Sequence, residues 1–198
     1  MFTVGLTGGV ASGKTTASNF FKNKGIEIVD ADEISRDLQN FGSKGYKEIV
    51  KKFGKKILDP TNEINRKLFR EIVFSSTANK KWLENLMHPM IKTETIKKFA
   101  AIKSKWAIYS APLWSFKNVF KRILVIDVPA DIQLKRITER DKCTIKTAKE
   151  MICAQINSNE RNNFATDLIV NDETLEVFNN KLNFYFNLFT QLANEKEN

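Results

Sequence analysis

The chain carries a single histidine, His88, and two cysteines, Cys143 and Cys153. With no C-x-x-C pair and one imidazole, it lacks the Cys/His spacing of a zinc site. Two separated cysteines read as free thiols in a reducing compartment, not as a disulfide framework. No apolar run approaches the ~18 residues of a membrane-spanning helix. The opening Met1-Phe2-Thr3-Val4-Gly5 lacks the basic start and long apolar stretch of a signal peptide. A cytoplasmic protein without a membrane partner is expected. The net charge is +9, yet no block of five or six basic residues occurs. Lysines are scattered instead, as at Lys51, Lys52, Lys55, Lys56, Lys80, Lys81, Lys97 and Lys98, which reads as a solvated basic face. No basic stretch interleaved with aromatics is present, so a nucleic-acid-binding ATPase is disfavoured and no nucleic-acid partner is expected. The same charge suits anionic small molecules. There is no guanine-selecting N-K-x-D segment, no internal repeat and no low-complexity linker.

What is present fits one compact domain with an inserted subdomain: 198 residues, 42% apolar and 28% charged, with 15 phenylalanines to fill a core. Phe2 to Thr7 is a short apolar strand. A glycine-rich turn leads into a helix opening near Gly13, with Ala17, Phe20 and Phe21 on its buried face and Gly25 closing it. Ile26 to Val29 is a second strand, closed by Asp30-Ala31-Asp32. Strand, helix and strand within about thirty residues predict a parallel sheet. Residues 33–102 read as helical and polar, with candidate helices at Ser35 to Leu38, Tyr46 to Phe53, Arg66 to Ser75 and Trp82 to Ala101, and breaks at Gly42 and Asp59-Pro60. Strands return at Trp106 to Ala111 and Arg122 to Val128. The second is a continuous apolar run, as for a strand buried on both faces. A helix follows Pro129 from about Asp131 to Arg140. Residues 141–164 form a charged helical stretch with Thr144 as its N-cap. Leu168 to Val170 is a last strand. Leu175, Phe178, Leu182, Tyr185 and Phe189 then mark a C-terminal helix packed on the sheet.

Gly8-Gly9-Val10-Ala11-Ser12-Gly13-Lys14-Thr15 satisfies G-x-x-x-x-G-K-[ST] at every fixed position. Glycines permit positive φ and close approach of backbone N–H groups to phosphate oxygens. The helix N-terminus behind the loop favours an anion. Lys14 reaches the β- and γ-phosphates, and the Thr15 hydroxyl is a Mg²⁺ ligand. The expected nucleotide contacts are Gly9, Ala11, Ser12, Gly13, Lys14, Thr15 and Thr16. Asp30 and Asp32 follow the second strand, where open parallel sheets bind ligands. Two readings stand for them. A carboxylate there accepts a proton from an acceptor hydroxyl, or it is a turn residue, with Asp32 capping the helix that contains Ile34. Strand alternation would place both carboxylates on one side, unless a break from the strand at Ala31 undoes it.

Val4-Gly5-Leu6-Thr7 ahead of the loop, Asp30-Ala31-Asp32 with Ile34 and Arg36, Asn65-Arg66-Lys67-Leu68-Phe69-Arg70, Leu83-Glu84, His88-Pro89 and Pro112-Leu113 form a consistent series. It continues through Val128-Pro129, Gln133-Leu134-Lys135-Arg136, Arg140-Asp141, Gln155, and Asp167 with Asn171. Together these resemble the dephospho-coenzyme A kinases, from residue 4 to about 171. The resemblance implies an α/β fold: a five-stranded parallel P-loop core (about 1–32, 103–139 and 165–198), a helical acceptor-binding insert at about 33–102 and a lid at about 140–164. It implies ATP and Mg²⁺, transfer to the ribose 3′-hydroxyl of dephospho-coenzyme A, and a monomer or weak homo-oligomer. It also implies Asp32 as catalytic base, Lys14 and Arg140 as catalytic groups beside the nucleotide, and lid residues such as Arg161 reaching the phosphates on closure. The chain departs from the family pattern at Asn65, usually Asp; at Ser110, usually acidic; and at Ser115-Phe116, usually Phe-Glu. The loss of an acid at 110 bears on any metal or water contact made there. Another small-molecule or nucleoside monophosphate kinase on the same core is the rival reading.

Other marked residues carry two readings each. His88 is a helix-terminal or structural residue beside Pro89, or a contact in the acceptor pocket. Arg136 and Arg140, spaced i,i+4, are a solvated face or phosphate ligands, as is Arg161. Trp82, Trp106 and Trp114 are core residues rather than adenine stackers.

Overall fold

A computed structural model of the protein describes residues 1–111 and 120–195. Pro112-Leu113, Trp114 and Ser115-Phe116 lie outside the described residues. The chain forms two compact units, Met1–Val29 with Ile102–Asn198, and Asp30–Ala101.

The first unit is built on five parallel strands: β1 (Phe2–Gly8), β2 (Glu27–Asp30), β3 (Trp106–Ser110), β4 (Arg122–Asp127) and β5 (Asp167–Val170), in the order β2-β3-β1-β4-β5. β1 lies between β3 and β4, with Val4 opposite both Ile108 and Arg122. β5 extends the sheet beyond β4, with Ile126 opposite Ile169. Helix α1 (Lys14–Asn23) follows β1. It ends in a Schellman turn: the Gly25 N–H bonds Lys22 O, the Ile26 N–H bonds Phe21 O, and Gly25 itself takes φ +83°.

Alternation along the strands sends Val4, Leu6, Ile108, Leu124, Ile126 and Ile169 into one core. There they meet Ala17 and Phe21 of α1 and Phe178, Leu182, Phe189 and Ala193 of the long C-terminal helix, Leu175–Glu195. Ile123 and Val125, pointing the other way, are also buried, which accounts for the unbroken apolar run of β4. Trp106 is 1% exposed and meets Phe21 and Phe189 edge-on at 5.9 and 5.6 Å. Its Nε1–H donates to Thr190 Oγ1 at 3.1 Å, so the indole is buried without an orphan donor. Leu175 departs from the expected packing. As the first residue of its helix it remains 63% exposed, and the buried face begins at Phe178.

Among the described residues, the remaining helices of this unit are α6 (Ala130–Asp141), α7 (Ile145–Cys153), α8 (Ser158–Asn162) and α9, the C-terminal helix. Thr144 is the N-cap of α7, its side chain accepting from the Thr147 N–H.

The second unit is helical: α2 (Ala31–Asp37), α3 (Lys44–Phe53), a 3₁₀ turn (Lys55–Ile57), α4 (Arg66–Phe74) and α5 (Thr77–Ala100). Tyr46, Ile49, Phe53, Ile57, Phe69, Val73 and Met87 form its own core, with Trp82 packed against it. Ser43, Asn65 and Ser76 cap α3, α4 and α5 by accepting from the N–H three residues on. His88 is not helix-terminal. It sits mid-way along α5, which continues through Pro89.

Candidate active site

The phosphate loop joins the carboxyl end of β1 to the first turn of α1. Gly13 precedes that helix in the left-handed region, φ +106°. Gly13, as the N-cap of α1, has no side chain to cap it, and the first turn holds no acid, as suits the binding of an anion there. Lys14 is the first helical residue, and Thr15 and Thr16 lie exposed on the same turn. The Lys14 ammonium donates to Ser110 Oγ at 3.3 Å, across from the end of β1 to that of β3. Thus Ser110, at a position where an acid was expected, meets the loop lysine with a buried neutral hydroxyl.

The glycines act differently from the conformational freedom expected of them. Gly8 and Gly9 are not among the positive-φ residues, whereas Ala11 is, at φ 56°. Gly8 and Gly9 are needed for space. A Cβ on Gly8 would lie 2.5 Å from Ser12 Oγ and 2.6 Å from Ile126 O. One on Gly9 would lie 2.8 Å from Gln133 Nε2 and 3.1 Å from Arg161 Nη2. Gly13 has both constraints: its positive φ, and Asn171 Nδ2 only 2.5 Å from where a Cβ would stand.

These crowding groups brace the loop. Gln133 of α6 donates to Val10 O at 2.8 Å, and Gln155, between α7 and α8, accepts from Val10 N–H at 2.9 Å. Asn171, just past β5, donates to Ser12 O at 2.7 Å, and its own N–H is fixed on Asp127 O at 2.8 Å. The loop therefore has peptide groups held by side chains from three distant segments. In the sequence Gln133, Gln155 and Asn171 belonged to the family-like series but had no role.

Asp127, at the end of β4, had no sequence signal beyond its place at the carboxyl end of a buried strand. Its Oδ2 accepts from Ser158 Oγ at 2.6 Å and from Asn162 Nδ2 at 2.8 Å. Its Oδ1 faces Arg161 Nη2 at 3.4 Å. Burial pushes its pKa up, but the hydrogen bonds from Ser158 and Asn162, aided by the Val128 N–H and the Arg161 charge, outweigh burial and hold it below the ordinary carboxylate value. Arg161 is buried and not part of a solvated face. Arg140, near the end of α6, is exposed and makes a bidentate pair with Asp141, at 2.8 and 2.9 Å.

Asp30 and Asp32 have different duties. The helix begins immediately at Ala31, so strand alternation does not extend to Asp32. Asp30 is the N-cap of α2: its Oδ1 accepts from the N–H groups of Asp32 at 2.8 Å and Glu33 at 3.1 Å. The cap expected of Asp32 is thus made by Asp30, and the Asp32 side chain projects from the first helical turn.

With this geometry, comparison with known proteins is decisive. A family model for dephospho-CoA kinase matches residues 2–176. The chain belongs to the dephospho-CoA kinase family. It is therefore an ATP-dependent kinase of dephospho-coenzyme A, an enzyme of coenzyme A biosynthesis. It is 39% identical to the dephospho-CoA kinase of Buchnera aphidicola subsp. Schizaphis graminum, over 99% of this chain and 97% of the relative. It is 34% identical to that of Haemophilus ducreyi, over 99% of each chain. The dephospho-CoA kinase structure from Campylobacter jejuni superposes with a TM-score of 0.70 at 26% identity, covering 98% of each chain. Against the family pattern, Asn65 is a neutral departure: its side chain accepts from the Leu68 N–H at 3.1 Å, and asparagine caps a helix as well as aspartate does.

Proposed function

We propose that the chain transfers the γ-phosphate of ATP in line to the ribose 3′-hydroxyl of dephospho-coenzyme A, with Asp32 accepting the hydroxyl proton. The observation that carries this reading is the braced phosphate loop, with Lys14 on the first turn of α1. Lys14 and the loop amides hold the phosphates, with Gly9, Ala11, Ser12, Gly13, Thr15 and Thr16 as the remaining contacts. Arg140 and Arg161 offset charge on the moving group. A phosphoryl transition state is loose, so positioning and electrostatics outweigh the strength of the base. Asp32 orients the hydroxyl and accepts its proton late.

Mg²⁺ fits the donors available. Among the described residues no group of three or more His, Cys, Asp or Glu could hold a metal alone, so the ion would arrive on the nucleotide, with the Thr15 hydroxyl as a protein ligand. Hard oxygen ligands from phosphate, hydroxyl and water suit it. When bound, it supplies neutralisation of phosphate charge.

The helical insert at about 33–102 would bind the acceptor, and about 140–164 would form a lid that limits ATP hydrolysis. The enzyme works in the cytoplasm, as its two free thiols suit, as a monomer or weak homo-oligomer without nucleic-acid or membrane partners. No helix of the described residues is long and apolar enough to cross a membrane. Steady-state kinetics of Asp32→Asn test the base: kcat falls by about 10²–10⁴-fold with the KM for ATP little changed. A kcat within a few-fold of the parent would remove Asp32 from that role.

A further inference from the structure

Arg161 is 7% exposed, and its guanidinium rests on the start of the phosphate loop, 3.1–3.2 Å from where a Cβ of Gly9 would stand. A guanidinium carries five N–H donors. Here Nη1 donates to Ile156 O at 3.2 Å and Nη2 faces Asp127 Oδ1 at 3.4 Å. Among the described residues, Nε has no partner. The Asp127 contact is long beside the ~2.7–2.9 Å of a strong charge-assisted bond. The cause lies on the same carboxylate, whose Oδ2 is drawn to Ser158 and Asn162 by the two shorter bonds. The Arg161 side chain is therefore held in place with donors left over, which costs free energy in a buried site unless an anion takes them. Ser12 Oγ, in the same loop, is a second buried polar atom without a partner among the described residues.

We propose that Asp127 is a positioning residue for nucleotide binding: it anchors α8 through Oδ2 and, through Oδ1, holds Arg161 on the phosphate loop without saturating it. Arg161 is then arranged for phosphate before any lid movement, and Asp127 acts through it. The inference rests on the reading of the loop as the ATP site but not on the identity of the acceptor.

The test is a double-mutant cycle on ATP affinity, measured by titration calorimetry with the full chain, using Asp127→Asn, Arg161→Ala and the double variant. Asp127→Asn keeps the side-chain shape and weakens ATP binding about tenfold, with the KM for dephospho-coenzyme A unchanged. In the Arg161→Ala background, the same substitution has no further effect. Ser158→Ala serves as a control for anchoring of α8 alone: it lowers the melting temperature but leaves most of the ATP affinity. Parent-like ATP affinity in Asp127→Asn, an equal loss in the Arg161→Ala background, or a Ser158→Ala variant as weak as Asp127→Asn would each overturn the proposal. Coenzyme A formation by the parent is measured separately. Its absence alongside an intact cycle would sink the acceptor assignment and leave this one standing.

Discussion

At the scale of single residues, the phosphate loop shows two different uses of glycine. A methyl on Gly8 meets the Ile126 carbonyl, which belongs to a central strand and cannot retreat. A methyl on Gly9 comes nearest the ends of the Gln133 and Arg161 side chains. Gly8→Ala should therefore lose about 1–3 kcal/mol of stability, and Gly9→Ala less, with weaker ATP binding as its main effect. Parallel urea melts and ATP titrations would check the order. Asn171→Ala leaves the Ser12 carbonyl, at a buried residue, without its donor. It should cost about 1–3 kcal/mol, read from the same melts. The motif was legible because its spacing is local. Its bracing was not, because Gln133, Gln155 and Asn171 reach it from more than a hundred residues away, and no local period marks a side chain that bonds a distant loop. The roles of Asp30 and Asp32 were hidden for another reason. Both suit a strand end and a helix start, and only the observed onset of α2 at Ala31 shows which of them caps.

Among the elements, the short α8 is capped by Asn157 and tied to the end of β4 by one carboxylate, Asp127. Asp127 has a folded-state pKa below its ordinary value, so its contribution to stability is present above the ordinary carboxylate pKa of ~3.9 and is lost as pH falls through the lowered folded value. Hydrogen exchange of the α8 amides should thus stay protected through pH 5 and rise only below about pH 4, ahead of the core strands. In Asp127→Asn this acid-dependent step should vanish. For α7, Thr144→Ala removes the cap bonded to the Thr147 N–H and should cost about 1 kcal/mol of local stability, seen as faster exchange confined to that helix. The cap was legible in the sequence, because a threonine before a charged helical run has one local use. The exposure of Leu175 was not, because the three-and-four spacing runs on past the point where the helix meets the sheet.

For the whole molecule, a parallel sheet and its helices were legible from pattern, with βαβ at the start, an apolar run at β4 and an amphipathic helix at the end, whereas the order β2-β3-β1-β4-β5 depends on long-range pairing that no local pattern marks. The core they build is concentrated on Trp106, and Trp106→Ala should cost about 3–5 kcal/mol in chemical denaturation. The choice of acceptor is tested by ATP-dependent phosphorylation with dephospho-coenzyme A offered beside AMP, CMP and shikimate. Coenzyme A should be the dominant product, with little turnover of the other three. Turnover of AMP, CMP or shikimate without coenzyme A formation would contradict it, leaving a phosphate loop correctly read and an acceptor wrongly assigned.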